Sequence, residues 1–318
     1  MKIYILIIAV ILDYIIGDPH NWPHPIKYIG KLIAKYEKFI RKSNILSKRK
    51  GGFILTFATL TTVLVIIHYL IKFAYIIHFE LGFILSVYLV YASIAARCLE
   101  KETMKVYYAL KEENINKARK LLSYLVGRET SQLQEKEVIR ATVETIAENT
   151  IDGVIAPLMF IGFGLALGIP VEMAYFYKTI NTLDSMVGYI HELYREIGYA
   201  SAKLDDVVNY IPARVGSLLM LISGLLIGYD FKNGYMILKR DKRNHKSPNS
   251  GYSEAVVAGL LNIQLGGTNI YFGQKVYKPT IGDKNRELSI INIKDVIKIM
   301  YAAEVLLIVI IVTILKLL

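Results

Sequence analysis

The stretch Arg140-Ala-Thr-Val-Glu-Thr-Ile-Ala-Glu-Asn-Thr-Ile-Asp-Gly-Val-Ile-Ala-Pro157 joins a charged segment to an apolar one without a break. Glu144, Glu148 and Asp152 are four residues apart, so a regular α-helix would place the three carboxylates on one face. Like charges at this spacing destabilise an isolated helix. We therefore expect cations to meet this face, either a divalent metal ion or a cluster of Arg and Lys side chains. A buried network of ion pairs with neighbouring bases is the structural alternative.

The composition of the 318-residue chain indicates a polytopic membrane protein. Hydrophobic residues make up 54% and charged residues 20%, and the mean hydropathy is +0.39. This is too apolar for an ordinary soluble domain and too charged for a bundle of purely lipid-facing helices. The net charge of +11 fits cytoplasmic loops rich in Lys and Arg, and no basic motif indicates nucleic acid. The single cysteine, Cys98, excludes an internal disulfide and a thiolate metal cluster.

Seven apolar segments predict an all-α, membrane-embedded helical bundle that forms a single domain over residues 1–318. They are residues 3–16, 52–71, 81–96, 154–168, 171–190, 211–229 and 296–318. Residues 154–168 are short for a full crossing of about 20 residues, and Gly168-Ile-Pro170 is a turn signal. We therefore expect a re-entrant hairpin that dips into the membrane and returns to the same side.

The polar segments predict the orientation of the bundle. Nine bases and one acid between Lys27 and Lys50 predict a cytoplasmic loop. Residues 97–140 predict two solvent-facing helices broken near Gly127. The side of the membrane on which residues 230–295 lie stays open.

Several polar residues lie at the ends of the apolar segments. Asp13 interrupts the first segment, where a carboxylate is costly and by default functional. Asp18-Pro-His20 and His24-Pro25 form a rigid, extended segment, whose histidines are either metal ligands or packed amphipathic side chains.

Two further groups of residues have oxygen and nitrogen atoms suited to cations and phosphates. Asn181 and Asp184 share one helical face, where the alternative is a polar helix–helix contact. The segment from Lys203 to Arg214 contains adjacent acids and an amide, which are typical oxygen ligands. It comprises Lys203, Asp205, Asp206, Asn209 and Arg214.

A basic run before a turn predicts an anion site. Arg243, His245 and Lys246 precede Ser247-Pro-Asn249, and a helix that starts after this turn would offer free N–H groups and added positive charge. The alternative is an exposed basic loop at the membrane surface. Neither nucleotide fingerprint, GxGxxG or GxxxxGK[ST], is present.

Taken together, five motifs in this order resemble the CobD/CbiB family of cobalamin biosynthesis, from about Ile11 to Gly273. The motifs are Leu12-Asp13…Gly17-Asp18-Pro19…His24-Pro25, Glu144…Glu148-Asn149…Asp152-Gly153…Ala156-Pro157, Asn181-Thr-Leu-Asp-Ser-Met-Val-Gly188, Leu204-Asp-Asp206…Asn209…Arg214 and His245…Ser247-Pro-Asn249. The resemblance implies an integral-membrane adenosylcobinamide-phosphate synthase. Such an enzyme joins a carboxylate of adenosylcobyric acid to the amine of aminopropanol phosphate, or a related aminoalcohol phosphate, in an ATP-dependent amidation.

The resemblance also implies roles for the motif residues, with ATP and Mg²⁺ as co-substrate and metal. We assign acid–base chemistry to Glu144, Glu148 and Asp184. We assign magnesium coordination to Asp152, Asp205 and Asp206. Binding of substrates or phosphate is assigned to Asp13, Asp18, His24, Asn149, Asn181, Lys203, Asn209, Arg214, Arg243, His245, Lys246, Ser247 and Asn249.

The expected location is the cell membrane, with several crossings of the lipid bilayer and a site that faces the cytoplasm. The expected partners are the two substrates and either a second copy of the chain or other membrane enzymes of cobalamin assembly. Two alternatives remain at this stage. One is a transporter that uses intramembrane carboxylates, and the other is a membrane sensor without catalysis.

Overall fold

The computed structural model describes residues 2–19, 22–42, 47–188, 194–271 and 274–317, and His20 lies outside these ranges. The α-helices are α1 (Lys2–Ile16), α2 (Pro25–Lys42), α3 (Lys48–Ile77), α4 (Phe79–Tyr91), α5 (Ala96–Lys111), α6 (Ile115–Leu122), α7 (Glu135–Asn149), α8 (Ala156–Leu167), α9 (Pro170–Val187), α10 (Tyr199–Val208), α11 (Tyr210–Leu226), α12 (Phe231–Asp241), α13 (Ser250–Leu261) and α14 (Ile291–Leu317). A π-helix, Thr150–Ile155, joins α7 to α8. Strands β1 (Leu265–Tyr271) and β2 (Gln274–Ile281) form one antiparallel hairpin. The predicted all-α class is confirmed.

Among the residues that the structure describes, four helical stretches are long and apolar enough to cross a membrane. They are Lys48–Ile77, Phe79–Lys111, Glu135–Leu167 and Ile291–Leu317. Helices α10 and α11 pass the same test as a bent pair, whereas α1 is apolar but shorter. Phe57, Phe73 and Ile76 of α3 are each more than half exposed. Apolar side chains exposed along such a helix are suited to contact with lipid, so the chain is a polytopic membrane protein.

The chain packs as two compact units. The first unit contains residues 1–95, 156–209 and 311–318, and the second contains residues 96–155 and 210–310. Each unit is assembled from separate stretches of the chain. The single domain over residues 1–318 therefore stays a prediction.

Helical hairpins organise the first unit. The chain turns from α3 to α4 at His78, whose backbone is extended. It turns from α8 to α9 at Gly168, whose φ of 84° belongs to the left-handed region that favours glycine. The two arms of this second hairpin approach closely, since a Cβ on Gly164 would lie 2.7 Å from Pro170 Cα. Helix α9 also packs against α2, α3 and α10.

The second unit combines helices with the β-hairpin. Helices α12 and α13 pack at two glycines, since a Cβ on Gly259 would lie 2.7 Å from Gly234 Cα. Helix α7 contacts α5, α6, α13 and β1. A β-bulge between Leu265 and Gly267 interrupts the hairpin register, and Gly266 and Gly267 have φ of 81° and 91°. The bulge brings the β1 backbone towards α7.

The structure adds detail to two local expectations and corrects a third. The predicted loop between Lys27 and Lys50 contains α2, which buries Ile29 and Ile33 at a spacing of four residues. Residues 97–140 do break near Gly127, between α6 and α7, and they also break earlier at Glu113, which has a φ of 55° and precedes Asn114, the cap of α6. Residues 154–168 are not a separate short segment, because the π-helix continues the backbone hydrogen bonding from α7 into α8. The reversal at Gly168 into α9 is confirmed.

Candidate functional site

A buried ion pair anchors the acidic helix α7 in the second unit. Arg128 Nη2 donates a hydrogen bond of 2.6 Å to Glu144 Oε2, and its Nη1 donates one of 2.8 Å to Asn269 Oδ1. The Arg128 and Glu144 side chains are only 6% and 2% exposed. Arg140 Nε lies 3.9 Å from Glu144 Oε1. The cations expected at the acidic face are therefore, for Glu144, the side chains of Arg128 and Arg140, which form a network of buried ion pairs with it.

The bulged start of β1 completes the environment of Glu144. The N–H of Gly266 donates to Glu144 Oε1 at 2.9 Å. Arg140 donates to the carbonyl oxygens of Gly266 and Thr268. A Cβ on Gly267 would lie 2.7 Å from Arg140 Nη1, so this close approach needs glycine. Both oxygens of Glu144 already accept hydrogen bonds, and accepting a proton would break one of them.

Glu148 lies one turn further along α7 and has a more open environment. It is half-buried, and its Oε1 accepts a hydrogen bond of 2.8 Å from Ser250 Oγ at the start of α13. Asn149 donates to the carbonyl oxygen of Thr145 in its own helix. Asp152 lies in the π-helix, whose wider turn displaces it from the position that a regular α-helix would give it. Glu144 and Glu148 therefore have different environments although they are one turn apart.

The start of α13 is capped from within the chain. Ser247 Oγ accepts hydrogen bonds from the N–H groups of Asn249, at 3.2 Å, and Ser250, at 3.3 Å. These are two of the N–H groups that were expected to bind an anion. The turn before the helix is thus confirmed, but its serine already satisfies those donors.

His245 lies in a buried group of ionisable side chains. Its Nδ1 accepts the N–H of Ser247 at 3.0 Å, and its Nε2 lies 3.1 Å from Lys278 Nζ and 3.9 Å from Glu254 Oε1. Burial, followed by the charge of Lys278, lowers the pKa of His245. Burial, followed by repulsion from Glu144, raises the pKa of Glu254 well above its usual value. Neutral forms of both side chains are favoured, so His245 acts as a hydrogen-bonding group more than as an added positive charge.

These side chains interact electrostatically and form one site, which we call the polar cluster. It comprises Arg128, Arg140, Glu144, Glu148, His245, Glu254 and Lys278. With Glu254 and His245 neutral, the charged groups of the cluster are two carboxylates and three bases. They are Glu144 and Glu148, and Arg128, Arg140 and Lys278. The excess positive charge suits an anionic ligand.

Arg214 is held in place beside the Ser-Pro-Asn turn. Its Cζ lies 3.3 Å from the ring centroid of Tyr210 and 4.6 Å from that of Tyr252. Its Nη1 donates to the carbonyl oxygen of Tyr210 and to Asn249 Oδ1 at 3.3 Å. A guanidinium fixed between two rings is pre-organised for a planar anion. Arg243 and Lys246 are exposed side chains of the same turn.

The acids and amides of α9 and α10 meet in the first unit. Asn209 is buried, accepts a hydrogen bond of 3.0 Å from Tyr177 and donates one of 3.0 Å to Asp205 Oδ2. Asn181 and Asp184 lie beside Asp205. Asp205 Oδ1 is buried without a hydrogen-bond partner among the described residues. Lys203 pairs with Asp206 at 3.0 Å on the exposed side. We call this group, without Lys203 and Tyr177, the acidic cluster.

The residues around the end of α1 also lie in the first unit. Asp13 is fully buried within α1. Asp18 Oδ1 lies 3.4 Å from His24 Nε2, and His24 Nδ1 accepts the N–H of Ile26 at 3.3 Å. His24 therefore has one hydrogen bond, at Nδ1, and an electrostatic contact with Asp18 at Nε2, an atom with no hydrogen-bond partner among the described residues. This agrees with a packed, hydrogen-bonded histidine.

The donor atoms of the acidic cluster fit a magnesium ion. Across the described ranges of the chain, no three His, Cys, Asp or Glu side chains are grouped to hold a metal by themselves. Magnesium usually takes only one or two protein carboxylates and completes its shell with waters and phosphate oxygens. A buried carboxylate oxygen without a partner beside a second carboxylate suits such a cation. The assignment of Asp152, Asp205 and Asp206 to metal stays a prediction.

Sequence reasoning missed the partners that come from distant segments. Arg128, Glu254 and Lys278 were not predicted as site residues, although each contacts a predicted one. Asn269 was missed as well, and it contacts Arg128 and Arg140. Arg140 could have been found, because it lies four residues before Glu144 on the same helical face. A basic cavity of about 510 Å³ also opens beside Arg128, with Asn116, Arg119 and Lys120 in its lining.

Comparisons with known proteins cover nearly the whole chain. The family model described as CobD/Cbib protein matches residues 6–300. The cobalamin biosynthesis protein CobD of Clostridium tetani is 46% identical over 311 residues, which are 96% of this chain and 95% of that protein. The cobalamin biosynthesis protein CbiB of Salmonella choleraesuis is 44% identical over 311 residues, with the same coverage of both chains.

A third relative, the cobalamin biosynthesis protein CobD of Clostridium acetobutylicum, is 47% identical over 311 residues, which are 96% of both chains. No solved structure matches the chain. The family match and the identities are both far above what shared composition would produce. The chain therefore belongs to the CobD/Cbib family, and the relatives that it matches are cobalamin biosynthesis proteins by name.

Proposed function

We propose that the chain acts in cobalamin biosynthesis as a membrane-embedded adenosylcobinamide-phosphate synthase. It would join a carboxylate of adenosylcobyric acid to the amine of aminopropanol phosphate, or a related aminoalcohol phosphate, at the expense of ATP. The observation that carries this proposal is the similarity along nearly the whole chain to proteins named for cobalamin biosynthesis. The site is proposed to face the cytoplasm, where ATP is available.

The chemistry needs an activated carboxylate. A carboxylate oxygen of the corrinoid attacks the γ-phosphorus of ATP, which forms an acyl phosphate and releases ADP. The amine then attacks the acyl carbon, the amide bond forms and phosphate leaves. Phosphoryl transfer depends on positioning and on neutralisation of charge. Bound Mg²⁺ would supply part of that neutralisation, and Asp205 with Asp184 or Asp206 would hold it.

The Ser-Pro-Asn turn and the arginine beside it offer groups for the anionic substrates. Arg214 presents its guanidinium between two tyrosine rings, and Arg243 and Lys246 are exposed on the same turn. Basic groups that are fixed in position bind phosphates without losing much side-chain freedom. We assign phosphate binding to these three residues.

Glu148 is our preferred base for the attacking ammonium, which must lose a proton before it becomes a nucleophile. Glu144 is less suited, because Arg128 and the Gly266 N–H occupy both of its oxygens. Glu148 has one such bond, from Ser250. Asp184 remains the alternative base in the acidic cluster. If Glu148 is the base, Glu148→Gln should lower kcat by about 10²-fold or more, whereas the matched control Ser250→Ala should keep most of the activity.

The test is a reconstituted reaction. Purified protein in lipid nanodiscs is incubated with adenosylcobyric acid, aminopropanol phosphate, ATP and Mg²⁺, and the amide and ADP are quantified by mass spectrometry. The proposal expects both products in equal amounts. A folded protein that forms no amide with any aminoalcohol phosphate would refute it. Full activity in folded Asp152→Asn and Asp205→Asn variants would instead remove only the metal assignment.

A further inference from the structure

Helix α2 carries a row of basic side chains on its exposed face. Lys31, Lys35, Lys38 and Lys42 recur every three or four residues and are all exposed, so they form one line along the helix. We call this line the lysine stripe. Eleven residues of α-helix separate its ends by about 16 Å.

The opposite face of α2 fixes the helix on the first unit. Ile29 and Ile33 are buried there. Near the start of α2, Gly30 faces the sulfur of Met186, which lies close to the end of α9. Near the end of α2, Ile40 contacts Gly51, which lies close to the start of α3.

Helices α3 and α9 run in opposite directions. His68 near the end of α3 contacts Glu172 near the start of α9, at 3.1 Å. The start of α3 and the end of α9 therefore lie at the same end of this pair. Both ends of α2 contact that end of the pair, and Tyr36 Oη in the middle of α2 lies 3.1 Å from Thr62 Oγ1 of α3. Helix α2 therefore packs on this end of the two helices.

This position is where the chain enters α3, one of the helices long and apolar enough to cross a membrane. Lys48, Arg49 and Lys50 begin α3, and Phe53 and Phe57 directly after them are 44% and 55% exposed. A change from exposed bases to exposed aromatic side chains marks the boundary between water and hydrocarbon. Helix α2 therefore lies at the level of this boundary.

Among the residues that the structure describes, the lysine stripe has no carboxylate partner. The single acid of α2, Glu37, pairs with Arg41 at 2.7 Å. Within the described ranges, no carboxylate pairs with any of the four lysines. Like charges at this spacing repel each other, and an external anion would relieve that cost.

Exposed aromatic side chains flank the stripe. Tyr28 is 60% exposed and Phe39 is 73% exposed, and Trp22 just before the helix is 49% exposed. An apolar flank next to a lysine-rich face is the composition of helices that lie in the membrane interface. A soluble phosphate could contact only one or two lysines of a stripe about 16 Å long, whereas neighbouring lipid headgroups could contact all four.

We propose that α2 is an interfacial helix whose lysine stripe binds the phosphate groups of anionic phospholipids. This inference goes beyond the proposed enzyme activity and does not depend on it. The bound lipids would neutralise the stripe and hold α2 against the end of α3 and α9.

The chain contains a single tryptophan, Trp22, three residues before α2, and its fluorescence reports on nearby lipids. The full chain is placed in nanodiscs that contain phosphatidylcholine and phosphatidylglycerol, of which either lipid has brominated acyl chains. At equal mole fractions, brominated phosphatidylglycerol should quench Trp22 several-fold more strongly than brominated phosphatidylcholine. Each lysine at an anionic surface contributes about a fivefold preference. The variant Lys31→Gln/Lys35→Gln/Lys38→Gln should therefore bring the quenching ratio close to one.

Two further variants make the test specific. Lys111→Gln/Lys120→Gln/Lys232→Gln removes the same charge from exposed positions of the second unit and should keep the wild-type ratio. Lys31→Arg/Lys35→Arg/Lys38→Arg should also keep it. A wild-type ratio of one, or an equal loss in the second-unit variant, would overturn the proposal. Inorganic phosphate that abolishes the preference at constant ionic strength would identify a soluble anion as the ligand instead.

Discussion

The buried pair between Arg128 and Glu144 makes the strongest prediction about stability. Arg128→Met keeps much of the side-chain length but removes the charge and both hydrogen bonds of the guanidinium. Glu144 is then left 2% exposed with Arg140 at 3.9 Å and the Gly266 N–H at 2.9 Å. The substitution should therefore strongly destabilise the second unit.

The size of the effect follows from what remains around Glu144. Breaking a buried ion pair by removing one partner costs about 3–5 kcal/mol. Because Arg140 and Gly266 still stabilise the carboxylate, we expect the lower end, about 3 kcal/mol. In a chain of this size, each kcal/mol lowers the melting temperature by about 2 °C, so the midpoint should fall by about 6 °C.

Thermal unfolding in detergent, followed by far-UV circular dichroism at one scan rate, measures this shift. Lys136→Met is the matched control, because it breaks an ion pair with Glu287 whose side chains are 67% and 58% exposed. Exposed pairs contribute about 0–1 kcal/mol, so its midpoint should hardly move. The double variant Arg128→Met/Glu144→Gln should be more stable than Arg128→Met alone, since it also removes the buried carboxylate that has lost its closest cation. Equal shifts in Arg128→Met and Lys136→Met, or a double variant that is no more stable, would refute the reasoning.

Three other predictions concern the second unit, and one of them uses a control variant in the first unit. The folded state holds the proton of Glu254, whereas the unfolded chain releases it near its usual pKa, so wild-type stability should fall as pH rises. Glu254→Gln removes this pH-dependent loss, so the melting midpoint of the variant should rise relative to that of the wild type between about pH 5 and about pH 8. A difference in midpoint that stays constant over this pH range would contradict the prediction. Gly259→Ala should lower the free energy of unfolding by about 1–3 kcal/mol, because its Cβ would meet the Gly234 backbone at 2.7 Å. The control Gly30→Ala should be tolerated, because its Cβ would meet only a flexible methionine side chain at 3.4 Å. Equal melting midpoints for the two variants would exclude this explanation. Ser247→Ala removes the acceptor for two N–H groups at the start of α13 and should cost about 1 kcal/mol in the same assay.

Local sequence patterns predicted the helices and the contacts within one helical turn. Asp205 and Asn209 are four residues apart, and their side chains form a hydrogen bond. The turn at Ser247-Pro-Asn249 does precede a helix. These predictions succeed because helix periodicity and turn chemistry depend on residues close together in the chain.

The partners of the site could not be found in this way. Lys278 reaches His245 from a strand 33 residues later, and Asn269 reaches Arg128 across 141 residues. The strand itself was missed because its glycine-rich start and polar alternation resemble a loop. The π-helix at Asp152 was missed too, because a one-residue change in hydrogen bonding leaves no clear composition signal.

The sequence alone determined that the chain is a helical membrane protein, where its apolar helices lie and which family its motifs resemble, because each of these depends on composition and short-range spacing. Only the tertiary structure decided what the carboxylates of the acidic helix do. Glu144 is bound by Arg128 and by the bulged strand, whereas Glu148 keeps an open environment. The physical reason is that the sequence spacing alone makes the carboxylates equivalent. They differ only because packing brings a cation from a distant segment to one side chain and not to the next.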